Sequence, residues 1–178
     1  MIRWFIAAMA LLPVTTALAE VTHSSEHGFT VRHSINTEAE AFVIYRTMTS
    51  HIDQWWSGDH SWSGDAANFY MDVEMGGCFC EKLPGSGRVE HLRIIYFSPG
   101  KELRFDGALG PLQAMAAQGR MIWKIEPAES GNTITFTYKV FGHPEGGLTA
   151  IAPAVDGVIG EQLTRLGERL GRGRDQGE

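Results

Sequence analysis

The sequence predicts an α+β domain: an antiparallel meander of about six strands covered by one long amphipathic helix. Three observations predict it. Runs that alternate apolar and polar residues recur along the chain, joined by short turns rich in Gly and Pro. The cleanest run sets Ile134, Phe136, Tyr138 and Val140 against Thr133, Thr135, Thr137 and Lys139, one buried face and one wet face. Near the end the period changes: Val155, Val158, Ile159, Leu163, Leu166 and Leu170 recur at helical spacing. A sheet with one apolar face must bury it, and this helix is the available cover.

The chain has 178 residues, 43% of them hydrophobic, enough for one domain with a real core. Its formal net charge is −6 and no basic stretch stands out, which argues against a nucleic-acid partner. Residues 1–19 read as a signal peptide: Arg3, an apolar run from Trp4 to Leu12, Pro13, then Ala17-Leu18-Ala19 as the cleavage site. That run is too short to span a bilayer, so no stable membrane insertion is expected after cleavage. No cysteine follows it to carry a lipid anchor. The mature chain is expected in the periplasm or outside the cell, where disulfides persist.

Residues 20–27 read as a flexible lead-in and 28–170 as the domain. Phe29, Val31, His33 and Ile35 mark a first strand. Thr37-Glu38-Ala39-Glu40 reads as a capping box that starts a helix running to about Met48. A second short helix or turn covers His51 to Trp56, and Ser57 to Gly64 is a loop carrying Asp59, His60 and Trp62. A strand follows at Asn68 to Val73. Glu74 to Phe97 then forms a hairpin, turning at Leu83-Pro84-Gly85-Ser86-Gly87. Strands at Glu102–Ala108, Gly119–Pro127 and Thr133–Val140 continue the meander. Leu109 to Met115 is an unusually apolar loop suited to be a lid. The closing helix runs from about Pro153 to Leu170, and residues 171–178 read as a disordered tail.

This order, with specific words, resembles the START-like helix-grip superfamily (SRPBCC), and within it the branch named after the activator of the Hsp90 ATPase. The words are Trp55-Trp56, the step from Gly76-Gly77 to Glu81, the turn Ser98-Pro99-Gly100-Lys101-Glu102-Leu103, and the closing helix. Similarity covers Phe29 to Leu170. The resemblance implies a curved antiparallel sheet of about six to seven strands wrapped on a long C-terminal helix, with two short helices after the first strand. It also implies a central cavity. It fixes no single function, because this fold serves lipid carriers, hormone receptors, cyclases and co-chaperones. An exported protein does not meet cytosolic Hsp90. Cys78 and Cys80 depart from the branch.

Cys78 and Cys80 lie on one side of a strand, about 6.5 Å apart at Cα, near the upper limit for a disulfide. Three readings stay open: two buried thiols, a disulfide, or two thiolates holding a metal with His91 and a fourth ligand such as His60. A Cys80–His91 nucleophilic dyad is a further option, without an oxyanion signature beside it. Glu81 is expected to pair with Arg88, Arg93 or Arg104. Trp55, Trp56, His60, Trp62, Phe69, His91, Phe105, Leu112, Met115, Trp123 and Tyr138 are the candidate ligand contacts, either lining a pocket or filling a core. The favoured function is an exported domain binding a small hydrophobic or aromatic molecule, with no cofactor. The alternatives are a cyclase or hydrolase using His60, His91 or Cys80, and an envelope protein-interaction module whose protein partner is unknown.

Overall fold

The computed structural model describes residues 19–175. Residues 1–18, which hold most of the predicted signal peptide, lie outside the described residues, as do 176–178.

One open antiparallel sheet of eight strands runs in the order β1-β2-β8-β7-β6-β5-β4-β3. The strands are β1 (Ala19–Ser25), β2 (Gly28–Thr37), β3 (Phe69–Met71), β4 (Cys78–Lys82), β5 (Arg88–Ser98), β6 (Glu102–Asp106), β7 (Ala117–Pro127) and β8 (Asn132–Gly142). Strands β3 to β8 are the predicted meander, and β2 crosses from the start of the chain to pair with β8. The α+β class and the long C-terminal helix hold as predicted. The strand count is one or two higher, because the lead-in is a strand. Its Glu20 pairs with Arg32 and its Val21 with Val31, which covers the edge that β2 would otherwise expose.

Helix α1 (Ala41–Ser50) buries Ile44, Tyr45 and Met48. The predicted capping box does not form. Thr37 is still in β2, its Oγ1 accepts from the Ala39 amide, and the helix begins after Glu40 with no side-chain cap. The segment after α1 is fastened to the closing helix α2 (Ala152–Asp175). Arg165 Nε donates to the Trp55 carbonyl at 2.9 Å, and the Ser57 amide donates to Gln162 Oε1 at 2.7 Å. Helix α2 extends five residues into the predicted tail, to Asp175. Among the described residues no helix is long and apolar enough to cross a membrane.

The centre of the domain is filled by rings. Trp123 stacks on Phe136 with centroids 4.7 Å apart, and Phe105 and Trp55 meet Trp123 edge-on. Leu163, Leu166 and Leu170 of α2 are buried in the same core. The helix approaches β2 closely at two glycines, Gly160 over His33 and Gly167 over Ile35. His33 is buried and meets Asp156 of α2 at 2.8 Å.

A Cβ on Gly160 would lie 2.7 Å from His33 Cε1. We expect Gly160→Val to cost about 1–3 kcal/mol in urea denaturation. Gly157→Ala, where a Cβ meets nothing within 4 Å, should gain up to about 1 kcal/mol. Similar effects at both positions would contradict the close helix–strand seam.

Candidate functional site

The site grows from an irregularity in the central hairpin. Strands β4 and β5 pair in one register through Phe79↔Leu92 and in another from Cys80↔Glu90 onward. His91 is the extra residue of a β-bulge. A regular strand would send His91 and Leu92 to opposite faces, whereas here both are buried, 4% and 0% exposed. The bulge re-aims His91 to the inner face, the face that Phe79 and Glu81 already share.

Glu81 is 0% exposed and its carboxylate is surrounded by donors. His91 Nε2 lies 2.9 Å from Oε2, the Trp62 amide donates to Oε2 at 3.1 Å, and the Ser63 amide donates to Oε1. The expected arginine partner is therefore replaced by His91 and two loop amides. Burial by itself pushes the Glu81 carboxyl up; donation from Ser63, the Trp62 amide and His91 outweighs this and holds it below the usual carboxylate range. Burial pushes His91 down, and the pull of Glu81 only partly offsets it. The pair is thus a carboxylate beside a neutral imidazole. A carboxylate only accepts, so Nε2 carries the proton and Nδ1 the lone pair.

The two amides fasten the loop after Trp56 against β4. That loop, the start of α2 and the loop after β6 enclose a cavity of about 360 Å³. Its walls are Trp56, Leu109, Pro111, Val155, Val158 and Ile159, with His91 among them and Asp59, His60 and Ser61 on the loop side. Trp62, 56% exposed, also lines it. His60 Nε2 meets Glu161 of α2 at 2.9 Å, not the neighbouring Asp59, and this pair is solvent-accessible.

Of the predicted contacts, the structure brings Trp56, His60, Trp62 and His91 together on this cavity. Trp55, Phe69, Phe105, Leu112, Trp123 and Tyr138 are buried in the ring-filled core instead, and Met115 is half-buried against it. The apolar loop supplies Leu109, Gly110 and Pro111 to the wall while Leu112 anchors it in the core. It is tied down by the Leu109 amide donating to the Tyr138 hydroxyl, which donates to the Gly107 carbonyl. The sequence reading missed the α2 wall. Val155 and Val158 read as core stripe, yet both are only half-buried and face the cavity. The available signal was size: Ala154, Val155 and Val158 are too small to fill the space that the leucines fill further along α2.

Cys78 and Cys80 are joined in a disulfide, with Cα atoms 5.4 Å apart. They alternate with Phe79 and Glu81 along β4 and so lie on the opposite side of the sheet from His91. This overturns both the metal reading with His91 and the Cys80–His91 dyad, and it removes Cys80 from the enzyme alternative. A larger cleft of about 560 Å³ lies between α1 and the far end of α2. It is lined by Glu38, Glu40, Arg46 and Arg169 and gathers none of the predicted contacts.

No protein-family model matches the sequence, and no curated protein does. Solved structures do match in fold. An uncharacterized protein from Rhizobium leguminosarum is 18% identical, with a TM-score of 0.56 over 89% of this chain and 99% of its own. Protein CV1439 from Chromobacterium violaceum is 13% identical, with a TM-score of 0.55 over 79% of this chain and 96% of its own. DynU16, from the dynemicin biosynthetic locus, is 12% identical with a TM-score of 0.57, over 81% of this chain and 48% of its own. At these identities the likeness is one of fold: a curved antiparallel sheet with a long C-terminal helix, consistent with a helix-grip arrangement.

Glu81→Gln places an amide among three donors, and we expect a loss of about 2–4 kcal/mol in denaturant unfolding. The pH dependence has a fixed sign. The folded chain resists protonating His91, so stability falls as pH drops below about 6.5, the ordinary imidazole value. Glu81 adds a second loss of the same sign as pH falls from the ordinary carboxylate range through its own lowered value. His91→Phe should flatten the upper part of that slope; an unchanged slope would contradict the neutral imidazole.

Proposed function

We propose that this chain is an exported START-like helix-grip domain that holds a small apolar or aromatic molecule in the cavity beneath the start of α2. The observation that carries the reading is the cavity itself. Its walls are mainly apolar, its volume of about 360 Å³ suits one small molecule, and its polar groups are few: His91 from the sheet and Asp59, His60 and Ser61 from the loop. Resident small side chains on α2 keep it open, and the tied loops on either side hold its shape without a ligand.

The family assignment, with its Hsp90-activator-like branch, is supported by the places its words occupy. Trp56 forms a cavity wall, Gly77 lies where any Cβ would strike the Asp72 carbonyl, and Gly100 turns the chain at φ +72°. Export is supported by the disulfide, since such bonds persist in oxidising compartments. Cleavage after Ala19 would leave Glu20 and Val21 to pair with β2. Binding needs no reaction, and the role is that of a carrier or sensor of its ligand.

Naphthalene is a suitable probe because it presents only apolar surface. We expect it to shift the indole NMR signals of Trp56 and Trp62 in the wild-type domain. Val158→Trp should fill the cavity and abolish those shifts while the circular dichroism spectrum stays unchanged. Naphthalene that binds equally to Val158→Trp, or that leaves both tryptophans unmoved in the wild type, would overturn the assignment.

A further inference from the structure

We propose that the ligand is a neutral molecule carrying a hydroxyl, phenolic or alcoholic, which donates to His91 Nδ1, and that carboxylate ligands are rejected. This rests on the cavity being the binding site and names the chemistry that the site selects. Three groups donate to Glu81, so its carboxylate has only acceptor capacity to offer and the proton between it and His91 belongs to Nε2. The other ring nitrogen is then a lone pair. Among the described residues no protein group donates to it. His91 is buried yet contributes to the cavity wall, with Phe79 and Phe69 packed around it at ring separations of 5.0 and 5.5 Å. Neither of these rings can donate to it.

A buried acceptor in an apolar cavity favours a ligand that satisfies it over an isostere that leaves it unpaired. The tautomer is fixed from behind by Glu81, so the ring cannot turn donor to suit another ligand. A carboxylate would bring a second negative charge toward Glu81 and set oxygen lone pairs against the Nδ1 lone pair. Asp59 on the wall, and Glu161 bonded to the lining His60, carry the same sign. Lysine and arginine are absent from the cavity wall among the described residues, so no fixed cation is there to receive an anion. The wall therefore admits apolar bodies and grades them by one donor.

The test is a series of one ring system: naphthalene, 1-methoxynaphthalene, 1-naphthol and 1-naphthoate, with affinities from calorimetry or fluorescence. We expect 1-naphthol to bind about tenfold more tightly than 1-methoxynaphthalene, as for one hydrogen bond to a buried acceptor, and 1-naphthoate to show no saturable binding. The His91 Nδ1 ¹⁵N signal should move on adding 1-naphthol and stay in place with 1-methoxynaphthalene. In His91→Phe the ratio of 1-naphthol to 1-methoxynaphthalene affinity should fall to about one, since the acceptor is gone. That variant is informative only if it folds, and the wild-type series with the Nδ1 signal decides the question without it. Equal affinities for 1-naphthol and 1-methoxynaphthalene, an unmoved Nδ1 signal, or tight 1-naphthoate binding would overturn the inference while leaving the cavity intact. Failure of all four compounds would overturn the cavity and this inference together.

Discussion

The buried carboxylate of Glu81 is the constraint on which the site depends. One side chain on β4 gathers the Trp62 and Ser63 amides from a loop and His91 from the neighbouring strand. An unpaired buried charge is costly, so each donor is held as firmly as it holds the charge. The loop is therefore drawn onto the sheet, and the cavity acquires its floor and one wall from a single group. The same group decides which nitrogen of His91 bears a proton. Packing and site chemistry are two consequences of one electrostatic arrangement.

The rest of the fold supplies the space in which this arrangement matters. Along α2 the side chains change from Val155 and Val158 to Leu163, Leu166 and Leu170, and the interior changes with them from cavity to packed core. Gly160 and Gly167 bring the helix down onto β2, while Gln162 and Arg165 tie it to the segment carrying Trp55 and Trp56. On the outer side of β4 the Cys78–Cys80 bond brackets Phe79, at the position where the register of β4 and β5 shifts. Phe79 packs inward against Trp56 and His91, so the bracket lies directly behind two elements of the cavity wall.

Local patterns in the sequence were sufficient for the meander, the long helix and the turns, because alternation and helical spacing report burial residue by residue. They were insufficient where the backbone breaks its own period. His91 has the parity of an outward residue if Leu92 and Ile94 point inward, and only the bulge turns it around. Glu81 was expected to pair with Arg88, Arg93 or Arg104, since spacing along the strands does not distinguish an arginine on a neighbouring strand from a histidine in a bulge. Thr37 and Glu40 satisfied the spacing of a capping box, yet the pairing of Thr37 with Asn132 prolonged β2 through that position. Of the tryptophan, phenylalanine and tyrosine candidates, all but Trp62 are buried. Which of them border a void depends on the side chains opposite, and that is settled by three-dimensional packing.

The most direct measurement is the tautomer and charge of His91 in the ligand-free protein, followed by long-range ¹H–¹⁵N NMR from pH 7.5 downward. We expect a neutral ring protonated at Nε2, persisting below about pH 6.5 where a free imidazole takes its second proton. A ring that titrates at its ordinary value, or that carries its proton on Nδ1, would contradict the role given to Glu81 and with it the organisation of the site.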